Sequence, residues 1–551
     1  MHNWQIINNY RFDQEKKTAL KSFIISLLKN RGITGKGNIA NFLRPDLKNI
    51  TPENLNISQK EMTKASERLK KAIHNRESIV VYTDYDVDGI VAGAIIWEIL
   101  FKMGAKIMPF VPNRITEGYG LSKTGLDKIR EKFNPSLIIT VDHGISASKE
   151  VSYARKFAID IIIIDHHLPA KSPPKPFALI HTTQLSAAGL AWVFTNFLTG
   201  RLLEKYLDLV ALATVADMVP LLNENRILVT FGLKEINKTR RVGLNSLMKA
   251  SGVIKGQIDS HTLGHILAPR LNASGRLEEG IDSLRLLCTK DRQRASDLAQ
   301  KLNNVNRHRQ ALTKNSLDLA HSIIKETSNL VFVHSDTFHQ GVIGLIAGKL
   351  VETYHRPAIV VSVGSEFCKA SARSVKGVNI VELIKVASDL LVSVGGHPMA
   401  AGFTVKKENL NKLEKKLLAS SQILIKTEDL TEKRLIDLEL DIAFLNWDLY
   451  REIQQLSPFG QANPPPLFAG FNNTVLDYSL VGRDKNHLKL LLSSKLNSRK
   501  AFSAIGFNFS PVFPELKLGA LVDIIYQIEE DNWNHLRSLI LKLKDVRLSE
   551  I

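Results

Sequence analysis

Acidic and imidazole side chains crowd three short stretches, TDYDVDG at 83–89, TVDHG at 140–144 and IIIIDHHLP at 161–169. Asp84, Asp86 and Asp88 stand at alternate positions, so an extended chain would put all three carboxylates on one face. Like charges this close need a cation or water to neutralise them. Gly89 is expected to permit a tight turn into the helix that follows. Asp142 lies in the second stretch and Asp165, His166 and His167 in the third, while Asp217 follows the helical run DLVALATVA. Each residue taken alone is a solvated loop or a helix cap, and a lone D-x-D-x-D also fits a calcium loop or a turn. Taken together, oxygen-rich ligands with one or two imidazoles suit Mn²⁺ or Mg²⁺. Two such ions about 4 Å apart would activate a water and clamp both oxygens of an in-line phosphoryl displacement.

Such a site needs elements that bring the stretches together. Strand patterns at 78–83, 106–111, 137–141 and 161–164 alternate with helical patterns at 90–103, 123–132 and 147–157. That alternation predicts βαβ units and a mostly parallel sheet. Parallel strands point the same way, so the acidic stretches converge beyond their carboxyl ends, where open α/β sheets bind ligands. Further helices are expected at 59–75, 187–199 and 205–216. A polar helical stretch at 291–326 reads as a connector, a second α/β pattern runs from 329 to 421, and short strands dominate from 433 onward. That last spacing suits a small barrel of the OB type. The expected organisation is a helical segment at 1–50, a parallel-sheet α/β domain at 51–245, a helical connector at 246–325, a smaller α/β domain at 326–428 and a β-rich OB-type domain at 429–551.

Bulk composition narrows the classes. A chain of 551 residues is too long for one core. Two cysteines, Cys288 and Cys368, exclude a disulfide framework and a cysteine zinc cage. The polar N-terminus lacks a secretory core segment and no apolar run is long enough for a bilayer, so a cytoplasmic location without membrane contact is expected. The formal charge of +18 suits a polyanionic partner such as nucleic acid, and a basic proteome would also produce it.

DYDVDG, VDHG, DHH and ATVADMVPL resemble, in order, the four motifs of the DHH phosphoesterase superfamily. APRLNASGRL, LNNVNRHRQ, HQGVIGLIAGKL, SARS, GGHPMAAGF and PFGQANPPPLF extend the likeness, over nearly the whole chain, to its RecJ branch of single-strand-specific 5′ to 3′ DNA exonucleases. The resemblance implies a DHH domain joined by a long helix to a DHHA1 domain, followed by an OB-type domain that grips single-stranded DNA. It implies that Asp84, Asp86, Asp88, Asp142, His166 and Asp217 bind two divalent cations, Mn²⁺ or Mg²⁺, with Asp142 bridging them. It gives catalytic roles to Asp88, Asp142 and His167, the last facing the scissile phosphate. Arg114, Arg270, Asn272, Arg276, Arg307, Ser371, Arg373, Gly395, Gly396 and His397 should contact substrate. The implied reaction is release of 5′-mononucleotides in DNA repair and recombination, by a monomer that works with a single-strand-binding protein and a helicase. Tyr82 stands where many superfamily members carry a histidine, with Asp84 supplying the ligand; Thr83, Ala187 and Ala370 stand where glycine is usual. A phosphodiesterase of short oligonucleotides or cyclic dinucleotides, and a non-catalytic DNA-binding scaffold of the same fold, are the alternatives.

Several segments of basic, glycine and aromatic residues admit more than one reading. APRLNASGRL is a loop whose Arg270 and Arg276 hold phosphates bidentately, or a loop with surface arginines. Arg307 and Arg309, two apart on a helix, face different ways, so one of them is only solvated. His397 after two glycines binds phosphate or caps a helix. In the barrel region, Arg483, Lys485, His487 and Lys489 accompany Phe502, Phe507 and Phe509, which are base-stacking platforms or core.

Overall fold

The computed structural model describes residues 3–10, 12, 19–114, 117, 118, 120–169, 172–324, 328–431, 433–531 and 537–549. The expected domain limits at 1, 325, 326 and 551 lie outside these residues. The chain forms two units. One comprises Asn49–Asp217 and Phe231–Glu432; the other comprises Met1–Lys48, Met218–Thr230 and Lys433–Ile551.

The first unit holds the parallel sheet. Its five strands lie in the order Lys106–Phe110, Ser78–Thr83, Leu137–Val141, Asp160–Asp165 and Ala178–His181, and every pairing is parallel. Leu137–Val141 is buried throughout, as is the isoleucine run of Asp160–Asp165, because helices cover both faces of the sheet. Crossover helices Val87–Lys102, Lys123–Phe133 and Ser148–Arg155 connect the strands.

The same unit carries a second five-stranded sheet, in the order Leu391–His397, Ala400–Lys406, Phe367–Arg373, Ala358–Ser362 and Val331–Ser335. Between the two sheets in sequence runs the helix Arg292–Ile323, whose 32 residues span about 48 Å. Asp291 caps it, accepting the Arg294 N–H at 2.7 Å. Ahead of it, APRLNASGRL is the helix Ala268–Leu277 and not the expected loop. Asn272, Ser274 and Gly275 suggest a loop, but the neighbouring alanine, leucines and arginines carry the helix, and Pro269, which lacks an N–H, follows directly on a π-helical turn at Thr262–Leu267.

The second unit closes a barrel. Phe468–Val481 pairs with both His487–Ser493 and Leu521–Asp531. Ala501–Gly506 and Ser538–Leu548 complete the ring of five strands. The first 48 residues belong to this unit. Strand Asn3–Ile6 pairs in parallel with Lys433–Ile436. Phe23, Leu27 and Leu28 of the helix Ala19–Asn30 enter the barrel's core, where Phe23 stacks on Phe468 with ring centroids 5.9 Å apart. Arg226 secures Met218–Thr230 within the unit: its buried guanidinium donates to the carbonyls of Phe42, Gln455, Leu456 and Ser457. Among the described residues, no helix is long and apolar enough to cross a membrane.

Candidate metal centre

The first motif does not continue as a strand. Asp86 caps the helix Val87–Lys102, its Oδ1 accepting the N–H groups of Asp88 at 3.0 Å and Gly89 at 3.1 Å. Asp88 therefore lies in the first helical turn, and the three carboxylates meet because the chain folds back, not because an extended chain shares a face. Gly89 serves close approach and not a turn: a Cβ there would lie 2.7 Å from both Cβ and the backbone nitrogen of Asp84. Gly275 does the same from the helix Ala268–Leu277, where a Cβ would meet the Tyr85 carbonyl oxygen at 2.4 Å. Asn272 of that helix accepts the Val87 N–H at 3.0 Å, so its carbonyl holds the first motif in place.

Asp142 sits where Leu137–Val141 leaves the sheet, at a φ of 68° that is costly for a non-glycine residue. His166 follows the last residue of Asp160–Asp165. Its Nε2 lies 3.2 Å from Asp142 Oδ1, 3.7 Å from Asp217 Oδ2 and 3.8 Å from Asp88 Oδ2. Asp217 caps the C-terminus of Leu207–Ala216. Potential ligand atoms of Asp84, Asp86 and Asp142 all lie within 4.8 Å of one another, as do those of Asp88, His166 and Asp217 and those of Asp142, His166 and His167. Asp142 thus belongs to two of these groups.

The electrostatics demand positive charge. Burial first, then neighbouring carboxylates, raises Asp84 and Asp142 well above the usual carboxylate range. The same causes bring Asp88 up to about 7 and Asp217 up to about 9. Burial, with His167 adding to it, pushes His166 down to about 4, leaving a neutral imidazole free to ligate. Asp142 Oδ1 is buried with no hydrogen-bond partner among the described residues. Oxygen and imidazole donors around an unsatisfied buried carboxylate fit hard divalent cations.

Two supports have no signal of their own in the spacing. The N-terminus of the helix Ala187–Thr199 grips Asp88, with the N–H of Ala187 at 2.6 Å from Oδ2 and that of Ala188 at 2.9 Å from Oδ1. Asp165 Oδ1 lies 2.8 Å from His167 Nδ1 and accepts the His167 N–H at 3.1 Å, while Oδ2 accepts the Ile145 N–H at 2.9 Å. Burial favours the neutral form of Asp165, yet the bond and charge of His167 and these N–H groups hold it well below the usual range. Burial likewise opposes the His167 imidazolium, but Asp165, with Asp84 and Asp88, outweighs it and raises His167. The arrangement orients the His167 ring at the edge of the cluster and favours its protonated form.

Arginines adjoin the first motif. Arg114 lies over the Tyr85 ring at 5.4 Å. Arg276 is brought down to about 10 by burial and then by Arg114 and Arg309. The Arg276 carbonyl would meet a Cβ on Gly341 at 2.3 Å, which packs the second sheet's domain against this helix. Arg309 is half-buried and Arg307 exposed, so the two do face differently. Arg270 is committed to Asn303 Oδ1 at 2.9 Å and to the Ile266 carbonyl, which makes it a tie between helices. On the second sheet, Ser371, Gly402 and Gly395 stand in one cross-strand row and Arg373, Ala400 and His397 in the row two residues along. Arg373 donates to Ser371 Oγ at 3.1 Å. Gly395, Gly396 and His397 are exposed on a strand, so His397 caps no helix.

In the barrel, Phe502 is buried and Phe509 half-buried against the core, which leaves Phe507 exposed beside His487 at 5.1 Å. Arg483, Lys485 and Lys489 are exposed on the same hairpin.

Three family models match the chain: the DHH family N-terminal domain at 78–214, the DHHA1 domain at 327–420 and the RecJ OB domain at 436–545. The single-stranded-DNA-specific exonuclease RecJ of Bacillus subtilis is 33% identical, over 99% of this chain and 71% of its own length. RecJ of Thermus thermophilus in complex with Mn²⁺ matches in structure with a TM-score of 0.83 and 27% identity, covering 100% of this chain and 80% of that one. The same protein with Mg²⁺ matches with a TM-score of 0.79 and 25% identity, covering 100% and 79%. With one relative similar along almost the entire length of this chain and all three domain types in order, the chain belongs to the RecJ family.

Proposed function

We propose that this protein is an exonuclease that hydrolyses single-stranded DNA from its 5′ end, releasing 5′-mononucleotides in DNA repair and recombination. The observation that carries the reading is the sharing of Asp142 between two groups of ligand atoms, beside an oriented His167. Asp84, Asp86 and Asp142 would hold one divalent cation and Asp88, His166 and Asp217 the other, with Asp142, whose Oδ1 lies 3.2 Å from His166 Nε2, reaching both. Bound there, Mn²⁺ or Mg²⁺ supplies Lewis-acid polarisation of the phosphodiester and activation of water. His167, whose protonated form Asp165 favours, would stabilise charge on the scissile phosphate or protonate the leaving oxygen. Arg114, Arg276 and Arg373, with Ser371 and the Gly395–Gly396–His397 strand, would bind substrate phosphates, and Asn272 and Arg270 would position them. The exposed Phe507 and the cations of the hairpin that carries His487 suit a sequence-tolerant grip on single strands. A single-strand-binding protein and a helicase are the proposed partners of a cytoplasmic monomer.

A short-oligonucleotide or cyclic-dinucleotide phosphodiesterase would have no use for the barrel, and a non-catalytic scaffold no use for an intact ligand set. The test is cleavage of end-labelled single strands blocked at the 5′ or the 3′ end, with and without Mn²⁺. The reading expects Mn²⁺-dependent mononucleotide release that a 5′ block stops and a 3′ block does not. Release that only a 3′ block stops, or cleavage of dinucleotides alone, would overturn it.

A further inference from the structure

A second basic surface lies away from the carboxylate cluster. Helices Val242–Ser251 and Arg292–Ile323 flank a polar cleft of about 640 Å³ in the first unit. Arg240, Lys249, Arg292 and Arg307 line it, with Asn245 and Ser296 between them. No carboxylate is in the lining, and none of the four cations has an ion pair or side-chain hydrogen bond among the described residues. Nearby Lys301, Arg241 and Arg285, by contrast, are each paired with an acid. Four unneutralised cations around one cleft attract a polyanion.

The lining also says which polyanion. It contains no aromatic side chain, whereas single-strand binders rely on aromatic platforms for bases. Short polar groups and cations alone read a phosphate backbone without reading bases, as proteins do on a duplex. Arg292 and Arg307 are separated by about 22 Å along their helix, a length that covers roughly six base-pair steps of duplex axis. Arg307 also joins the cleft to the arginines of the metal centre: burial first and then the charge of Arg307 lower Arg270, and burial first and then Arg270 lower Arg309.

We propose that this cleft holds the phosphate backbone of duplex DNA adjoining the single-stranded tail on which the metal centre acts. The inference rests on the exonuclease reading of that centre. It is tested with the R240Q/K249Q/R292Q variant of the full chain, which leaves Arg307 in place and changes only exposed side chains. Equilibrium binding is measured in EDTA by fluorescence anisotropy between about 50 and 200 mM salt. The two ligands are a 5′-tailed duplex and the tail strand alone. For the tailed duplex the variant should bind at least about tenfold more weakly at the low-salt end, with a salt slope shallower by about 2.7, at about 0.9 per lost phosphate contact. Binding of the tail strand and its Mn²⁺-dependent cleavage should be unchanged. Equal loss on both ligands would mean a general single-strand contact and overturn the duplex assignment, as would unchanged binding of the tailed duplex. Failure of the unmodified protein to cut the tail strand would instead refute the exonuclease reading, because the binding comparison does not depend on cleavage.

Discussion

Replacing Gly89 by alanine separates two physical expectations of opposite sign. Gly89 lies inside the helix Val87–Lys102, where alanine is favoured over glycine by about 1 kcal/mol. Propensity alone therefore predicts a more stable protein. The packing predicts the reverse. The new Cβ would sit 2.7 Å from the Asp84 Cβ and nitrogen and 2.9 Å from its Cα, and ordinary contact begins at 3.4 Å. Asp84 and the start of the helix must then part by about 0.7 Å, and the atoms in the way are mostly backbone, which cannot rotate aside. Overpacking of this kind costs about 1–3 kcal/mol. The displaced groups are Asp84 and the turn that carries Asp86 and Asp88, so the ligand set is distorted too. Since a misplacement of about 1 Å can cost roughly 10²-fold in rate, G89A should cut single strands about 10- to 100-fold more slowly and bind Mn²⁺ more weakly. G348A is the control: Gly348 lies within the helix Ile343–Tyr354 with nothing within 4 Å of its would-be Cβ, so that variant should be neutral or more stable. Thermal melts, Mn²⁺ calorimetry and cleavage of labelled strands measure the three effects. G89A with undiminished metal affinity and rate would refute the close-approach argument.

Other consequences follow from charge and surface. Asp88 and Asp217 have folded-state values raised to about 7 and about 9, so the metal-free protein holds more protons than the unfolded chain between about pH 4 and those values. Its stability should fall as pH rises through that window, and D217N should melt higher than the unmodified protein in EDTA at about pH 8 while losing Mn²⁺ affinity; a lower melting temperature for D217N would contradict this. D165N removes the carboxylate charge that raises His167, so the alkaline limb of the pH–rate profile should move to lower pH and the rate fall about 10- to 100-fold, as for other groups that orient a site's ligands. An unshifted limb would mean that His167 is not the titrating group. R483Q/K485Q/K489Q should weaken binding of long single strands, with a shallower salt dependence, and leave cleavage of short oligonucleotides intact. Equal effects on both lengths would argue against a strand grip by the barrel.

The parallel sheet and its helices were legible because period and composition are local properties: the isoleucine strand is buried as its residues require, and the helix Ala187–Thr199 has the expected limits. The convergence of the acidic stretches followed from parallel strand direction. The reason for the grouping of Asp84, Asp86 and Asp88 did not, because helix capping by Asp86 overrides the alternation an extended chain would give. The helix Ala268–Leu277 was hidden by its asparagine, serine and glycine, which it uses to hold the first motif and to approach Tyr85. The role of Asp165 depends on where His167 points, and the pairing of Asn3–Ile6 with Lys433–Ile436 joins residues some 430 positions apart. Neither leaves a periodic trace.

The two-cation site depends on one shared carboxylate, that of Asp142. Calorimetric titration of the full chain with Mn²⁺, compared with its D142A and D84A variants, addresses it directly. Two ions per chain are expected for the unmodified protein, weakened binding at one site for D84A, and weakened binding at both for D142A. Two ions bound by D142A with unchanged affinity would contradict the bridging role of Asp142 and, with it, the two-cation site.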